Sequence, residues 1–155
     1  MNRVKQPLEA PTRLNEVWSI DFMSDALYDG RKVRILNIID DCNREALSVT
    51  PSIHYPARKV VEVLEQLKEE VGLPQAIRCD NGPEFISKTF SSWCERKRIE
   101  IRYTQPGKPM QNGFIERFNR FYREDVLDAY WFNDLHQLTI LSNQRKEDYW
   151  IGRSK

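Results

Sequence analysis

Residues 17–23, Val17-Trp18-Ser19-Ile20-Asp21-Phe22-Met23, form a run rich in β-branched and aromatic residues, which predicts a buried strand. Asp29-Gly30 follows, and this pair is a strong signal for a tight hairpin. Residues 33–39 then predict a second strand, residues 41–44 a turn, and residues 45–50 a third strand. Two short connections in succession indicate an antiparallel meander.

The hydrophobic spacing changes after Pro56. Apolar residues now recur at helical intervals, at Val60, Val63, Leu64, Leu67 and Val71. Gly72-Leu73-Pro74 is expected to end this helix, and residues 76–79 predict a short strand. Ser87 is expected to cap a second helix that buries Phe90, Trp93 and Cys94.

Residues 99–103 predict a fifth strand, and residues 105–113, with two prolines and two glycines, predict a loop. Helices are expected from residue 114 to about 131 and from 134 to about 148. This order predicts an α/β fold with a five-stranded mixed sheet, three strands antiparallel and then two parallel, flanked by helices. We expect an extended arm over residues 1–15, a core domain over 16–150 and a short tail over 151–155.

Composition excludes several classes of protein. The 155 residues are 40% hydrophobic, enough for one folded domain, and the net charge is only +1. No stretch approaches the roughly 18 apolar residues of a membrane span, and the first residues lack the apolar run of a signal peptide. Three cysteines without a CxxC pair, beside two histidines, argue against a zinc module. We therefore expect a single-domain protein of a reducing compartment.

The charges are unevenly distributed. Residues 78–123 carry 10 basic and 5 acidic side chains, whereas residues 1–77 and 124–155 each have a net charge of −2. A basic segment within a neutral chain is typical of a surface that faces phosphates. The alternative is a solvated surface whose charge partners come from elsewhere in the fold.

Three carboxylates occupy notable positions. Asp21 interrupts a strand, Asp80 follows a strand and Glu116 lies in the first turn of a helix. Each has an ordinary explanation when taken alone: a wet sheet face, a turn residue, and a surface ion pair with Arg120. Together they are able to converge, and three adjacent carboxylates repel one another unless a divalent cation neutralises them. Oxygen ligands without His or Cys favour Mg²⁺ or Mn²⁺, and two such ions support phosphodiester chemistry.

Three blocks of sequence resemble the signature blocks of the retroviral integrase core, and more narrowly of bacterial transposases of the insertion-sequence-three group. The blocks are Trp18-Ser19-Ile20-Asp21-Phe22, Cys79-Asp80-Asn81-Gly82-Pro83-Glu84-Phe85 and Gln111-Asn112-Gly113-Phe114-Ile115-Glu116-Arg117-Phe118-Asn119. Between Asp80 and Glu116 lie 35 residues, the spacing of this Asp-Asp-Glu family. Three blocks in order at this spacing are a specific signal.

The resemblance implies a ribonuclease H-like fold and DNA strand transfer by a 3′-hydroxyl, with Asp21, Asp80 and Glu116 as catalytic ligands of two Mg²⁺ or Mn²⁺ ions. It also implies binding of double-stranded DNA at element ends and target, and a homodimer or higher oligomer. The same resemblance implies a separate helix-turn-helix segment as partner. It also implies that the protein acts at the nucleoid in the bacterial cytoplasm.

Other residues are expected to support this site. Asn81 and Gly82 are expected to shape the turn that aims Asp80, with Gly82 at a positive φ angle. Glu84 is expected either to bond a neighbour of the site or to place a charge at a helix start. Residues expected to contact DNA lie in the loop and on the polar face of the following helix: Lys108, Gln111, Asn112, Asn119, Arg120 and Arg123.

Two alternative functions remain open. A ribonuclease H-like hydrolytic nuclease would place an acid on the first helix, where Glu62, Glu65 or Glu69 is available. A truncated, non-catalytic DNA-binding relic of a transposase is the other alternative. The bacterial group usually continues Asp-Tyr-Asn where this chain has Asp148-Tyr149-Trp150, which predicts an excised core, a truncated copy or a frameshifted relic.

Overall fold

A computed structural model describes residues 10–105 and 113–153, with side chains through Tyr149. The strands are β1 (Val17–Ala26), β2 (Lys32–Asp40), β3 (Ala46–Ser52), β4 (Ala76–Cys79) and β5 (Glu100–Tyr103). The helices are α1 (Ala57–Val71), α2 (Lys88–Arg96), α3 (Gly113–Tyr122) and α4 (Leu135–Arg153), with a π-helical turn over Arg123–Leu127. Within these ranges no helix has the length and apolar character needed to cross a membrane.

The five strands form one sheet in the order β3-β2-β1-β4-β5. β1 lies at the centre, antiparallel to β2 and parallel to β4, while β2–β3 pair antiparallel and β4–β5 parallel. The predicted mixed sheet of three antiparallel and two parallel strands is confirmed. The Asp29-Gly30 hairpin is confirmed too, with Gly30 at φ +90° between β1 and β2.

Two hydrophobic cores cover the two faces of the sheet, because side chains along a strand alternate between them. Trp18 and Ile20 of β1 pack with α1 and α2, whereas Met23 packs in the core that α3 and α4 cover. Asp21 lies two residues before Met23 in the same strand, so its side chain points to the same face of the sheet, the face that α3 covers. The alternation that the sequence shows thus places an acidic side chain beneath α3.

The predicted helix over residues 114–131 is wrong in its second half. α3 ends at Tyr122, and one π turn follows, closed by the bond from Asp128 N to Arg123 O at 2.8 Å. A π turn contains one residue more than an α turn. Leu127, five positions after Tyr122, therefore stays buried on the same side of the helix as Tyr122. The backbone then leaves the helix, since Phe132 O accepts the Tyr28 N–H of the hairpin at 2.7 Å.

Candidate active site

Asp21 and Asp80 meet at the centre of the sheet. β1 and β4 pair in parallel with Ser19 opposite Arg78, so the same register carries Asp21 to Asp80, one residue beyond the end of β4. Burial, and after it the neighbouring Asp80 carboxylate, raises the pKa of Asp21 to about 7. Two of the three predicted acids are therefore brought together in a position where burial and mutual repulsion disfavour simultaneous ionisation of the two carboxyl groups.

The loop after β4 holds the Asp80 carboxylate from its own backbone. Gly82 N donates to Asp80 Oδ1 at 2.8 Å, and Gly82 O accepts from Phe85 N at 2.9 Å. The expected positive φ at Gly82 is wrong, because the glycines with positive φ in the described chain are Gly30 and Gly72. Gly82 leaves space for the carboxylate instead: a Cβ there would lie 3.0 Å from Asp80 Oδ1, so that side chain would have to shift. Asn81 is exposed in the same turn.

Asn119 fixes the other carboxylate. Its Nδ2 donates to Asp21 Oδ2 at 3.0 Å, and its Oδ1 accepts from Asn37 Nδ2 at 2.9 Å. Asn37 lies directly opposite Asp21 across the β1–β2 pair. The sequence prediction assigned Asn119 to DNA and omitted Asn37. The available signal for Asn37 was an amide within the apolar run of β2, where it is fully buried.

Glu116 occupies the first turn of α3 and is exposed, one turn before Asn119 on the same side of the helix. In residues 10–105 and 113–153, no group of three or more acidic, histidine or cysteine side chains is arranged to hold a metal ion. The structure thus brings Asp21 to Asp80 but does not gather Glu116 into the same cluster. Glu116 and Arg120 also do not form the alternative surface ion pair in the described part of the chain.

The two helix arginines differ. Arg120 is exposed, whereas Arg123 Nη2 donates to Ser24 O at 2.8 Å and its Nη1 lies 3.4 Å from Asp25 Oδ2. Arg123 therefore ties the end of α3 to the end of β1, a contact that the sequence prediction missed. The loop residues Lys108, Gln111 and Asn112, also predicted to contact DNA, lie outside the described residues.

Glu84 contacts β2 rather than a helix start. α2 begins at Lys88, beyond Glu84, and has no acidic residue in its first turn. Glu84 Oε2 accepts instead from Arg34 Nη1 at 2.7 Å. Of the two predicted roles, bonding a neighbour of the site is the one that agrees with these contacts.

The acids available to a ribonuclease H-like alternative lie elsewhere. α1 packs through Val60, Leu64 and Leu67 on the face of the sheet opposite Asp21. Glu65 Oε2 on that helix accepts from Trp93 Nε1 at 2.7 Å and contacts Lys97. These contacts give Glu65 a structural role in joining α1 to α2.

Comparisons with known proteins agree with this geometry. The profile of a family described as "Integrase core domain" matches residues 11–109, and a second profile of the same description matches residues 97–150. Solved structures share the fold: the integrase catalytic core domain of HTLV-2 in complex with magnesium (dimeric form) has a TM-score of 0.61 at 20% identity, over 83% of each chain. A chain of the simian T-cell lymphotropic virus intasome has a TM-score of 0.67 at 21% identity, over 85% of this chain and 49% of that one.

Two of the curated relatives come from bacterial insertion elements. The uncharacterized 31.7 kDa protein of insertion element IS407 from Burkholderia multivorans is 35% identical over 94% of this chain and 52% of its own length. The uncharacterized 39.2 kDa protein of IS476 from Xanthomonas euvesicatoria is 38% identical over 86% of this chain and 38% of its own length. The chain thus spans about half or less of these relatives. By its profile match, its fold and its paired strand carboxylates, it belongs to the integrase core domain family.

Proposed function

We propose that this chain is the catalytic core of a bacterial insertion-element transposase, which cleaves DNA phosphodiester bonds and joins a 3′-hydroxyl end to target DNA. The observation that carries the proposal is the pair formed by Asp21 and Asp80, held from two sides by Asn119 and Gly82. A site built to keep two carboxylates adjacent in a half-buried position has the character of a cation site rather than of a packing feature.

The donor set fits a hard divalent cation. Asp21 and Asp80 offer carboxylate oxygens, and a cation between them would relieve the repulsion that, after burial, raises the pKa of Asp21. Glu116 would complete the set from α3. When bound, two Mg²⁺ or Mn²⁺ ions would activate the attacking oxygen and stabilise the leaving oxygen of the phosphodiester.

The protein's own groups position and orient the two carboxylates. Asn119 Nδ2 donates to Asp21 Oδ2 and the Gly82 N–H donates to Asp80 Oδ1, so the protein orients both carboxylates. Because the attacking group is water or a DNA 3′-hydroxyl, no side-chain nucleophile is required. The exposed face of α3 with Arg120 would contact the phosphates beside the scissile bond.

We extend the proposal to partners. The HTLV-2 integrase core is described as dimeric and with magnesium, and we propose that this chain likewise pairs with a second copy on double-stranded DNA. We also propose that recognition of element ends depends on a helix-turn-helix partner segment, because the matched relatives are about twice as long or more. Because such a protein would act on chromosomal DNA, we propose that it works at the nucleoid in the bacterial cytoplasm.

The test uses the purified chain, supercoiled plasmid, a labelled oligonucleotide with a free 3′-hydroxyl, and Mn²⁺ or Mg²⁺. We expect nicking of the plasmid and covalent joining of the label, both abolished by chelation. Cleavage of an RNA–DNA hybrid without joining would support the hydrolytic nuclease instead. Binding of DNA without nicking or joining under any of these conditions would support the non-catalytic relic.

A further inference from the structure

The loop that carries Asp80 is held by a side chain from a strand that is not its neighbour in the sheet. Arg34 belongs to β2, and β1 separates β2 from β4. Arg34 Nη1 nevertheless reaches Glu84 Oε2 in the loop after β4, at 2.7 Å. The side chain therefore crosses β1 on the way, on the face opposite Asp21.

An aromatic side chain supports the crossing arginine. The Arg34 guanidinium lies 3.9 Å from the ring centroid of Phe22, the residue after Asp21. Phe22 in turn stacks on Phe85 with ring centroids 5.4 Å apart, and Phe85 O accepts from Tyr103 Oη at 2.7 Å. A planar guanidinium suits this position, because it stacks on the ring and still donates to the carboxylate at its edge.

Glu84 depends on this single partner. Its side chain is only 17% exposed, and its second oxygen, Oε1, is buried without a hydrogen-bond partner in the described residues. A Cβ built on Gly82 would lie 3.7 Å from Glu84 Oε1 and 3.0 Å from Asp80 Oδ1. Gly82 therefore lies between the two acids.

We propose that Arg34 is a positioning residue for Asp80, acting through Glu84 and the backbone of Gly82. Without the guanidinium, the mostly buried Glu84 carboxylate is left unpaired. The side chain then rotates toward water, and the loop after β4 moves with it. The bond from Gly82 N to Asp80 Oδ1 then opens more often. The catalytic consequence of this arrangement rests on the proposed function, whereas the effect on Gly82 does not.

The experiment compares Arg34→Met, Arg34→Lys and the isosteric Glu84→Gln with the wild type. The matched control is Arg31→Met, which removes a 2.8 Å ion pair to Asp29 in the same hairpin, away from the Asp80 loop. Amide hydrogen exchange of Gly82 is measured by NMR on the metal-free protein. Affinity for Mn²⁺ is measured by calorimetry, and kcat and KM by plasmid nicking.

For Arg34→Met we expect at least tenfold faster exchange at Gly82, with the amides of the β1–β2 pair unchanged. We also expect about tenfold weaker Mn²⁺ binding and a lower kcat at unchanged KM for DNA. Arg34→Lys, which retains the charge, should recover part of each loss. Glu84→Gln should speed Gly82 exchange less than Arg34→Met does. Arg31→Met should leave Gly82 exchange, Mn²⁺ binding and kcat unchanged.

Unchanged exchange at Gly82 in both Arg34→Met and Glu84→Gln would overturn the proposal, as would equal acceleration over the whole sheet, which marks general destabilisation. An increase in KM with kcat unchanged would assign Arg34 to DNA binding instead. If the wild type fails to nick DNA, the proposed function fails, and the exchange of Gly82 still decides the role of Arg34.

Discussion

Asn119 on α3 and Asp21 on β1 are joined by a hydrogen bond of 3.0 Å between residues 98 positions apart in the chain. The bond docks α3 on the central strand at the level of the carboxylate pair. Because Asn37 donates to Asn119 Oδ1, the Asn119 amide is oriented with its NH₂ group toward Asp21. One helix thereby carries both a group that fixes an acid and, one turn earlier, the third acid of the proposed set.

Replacing Asn119 should therefore alter the titration of Asp21. The Asn119 hydrogen bond lowers the pKa of Asp21, so Asn119→Ala should raise this pKa above its value of about 7. Loss of two hydrogen bonds should also cost about 1–3 kcal/mol of unfolding free energy. Carboxyl NMR titration and urea unfolding measure the two effects. Asn143→Ala, at an exposed position of α4, is the control, and an unchanged Asp21 pKa would contradict the assignment.

The strand register explains why the Asp21–Asp80 pair was predictable. The period-two pattern of β1 and the end of β4 at Cys79 are local features, and parallel pairing of these strands places both acids at one level. The role of Asn119 was not predictable in the same way. It depends on which face of α3 docks on β1, and an amide on a helix is equally suited to bond a phosphate or a carboxylate.

The π turn and Arg123 show a second limit of prediction from the sequence. The helix predicted from Phe114 continues beyond Tyr122, but Phe132 O accepts from the hairpin N–H of Tyr28, about 100 residues earlier. Local propensity carries no information on such a contact. The same holds for Gly82, whose lack of a Cβ leaves room for the Asp80 side chain and does not reflect its own φ angle.

Stability without metal should depend on pH through Asp21. A carboxyl whose folded-state pKa is raised, here to about 7, binds its proton more tightly in the folded state than in the unfolded chain. Its contribution is fully present below about pH 4 and is lost as pH rises toward 7. Asp41, whose pKa is also raised by burial, to about 6, acts in the same direction.

The variant Asp21→Asn separates the two contributions. It should unfold at a higher denaturant concentration than the wild type at pH 8 and show a smaller loss of stability between pH 4 and pH 7. Urea unfolding with chelator, across this range, provides the measurement. Identical pH profiles for Asp21→Asn and the wild type would assign the dependence to Asp41 and other groups.

The three acids should be individually required for activity. We predict that Asp21→Asn, Asp80→Asn and Glu116→Gln each abolish Mn²⁺-dependent nicking and joining, because each removes a carboxylate from the proposed cation site. Glu62→Gln, an exposed acid on α1, should retain activity and serves as the matched control. Near-normal activity in one of the three would exclude that residue from the site.

Divalent cations should stabilise the folded chain. A ligand that binds only the folded state adds about 2.7 kcal/mol at a free concentration 100 times its dissociation constant. We expect millimolar Mn²⁺ to raise the Tm of the wild type and to leave Asp80→Asn unchanged, in differential scanning calorimetry with a chelator reference. Equal shifts in the two proteins would point to cation binding at another place.

Arg120 in the last turn of α3 and Arg123 in the π turn that follows should behave differently in DNA binding. Arg120 is exposed and unpaired with Glu116 in the described residues, so Arg120→Ala should weaken binding to any DNA sequence and lower the log–log salt slope by about one unit. Arg123 is held by Ser24 and Asp25, so Arg123→Ala should chiefly reduce stability, by about 1 kcal/mol.

Lys68→Ala on α1, which packs on the sheet face opposite α3, is the control for both arginines and should leave the slope unchanged. Binding isotherms at several salt concentrations and urea unfolding of the same variants separate the two effects. Loss of a phosphate contact changes the salt slope, whereas loss of a hydrogen bond or ion pair within the protein changes the unfolding midpoint. A full unit of slope lost in Arg123→Ala would mean that DNA displaces Asp25 from this arginine. An unchanged slope in Arg120→Ala would remove the exposed face of α3 from the DNA interface.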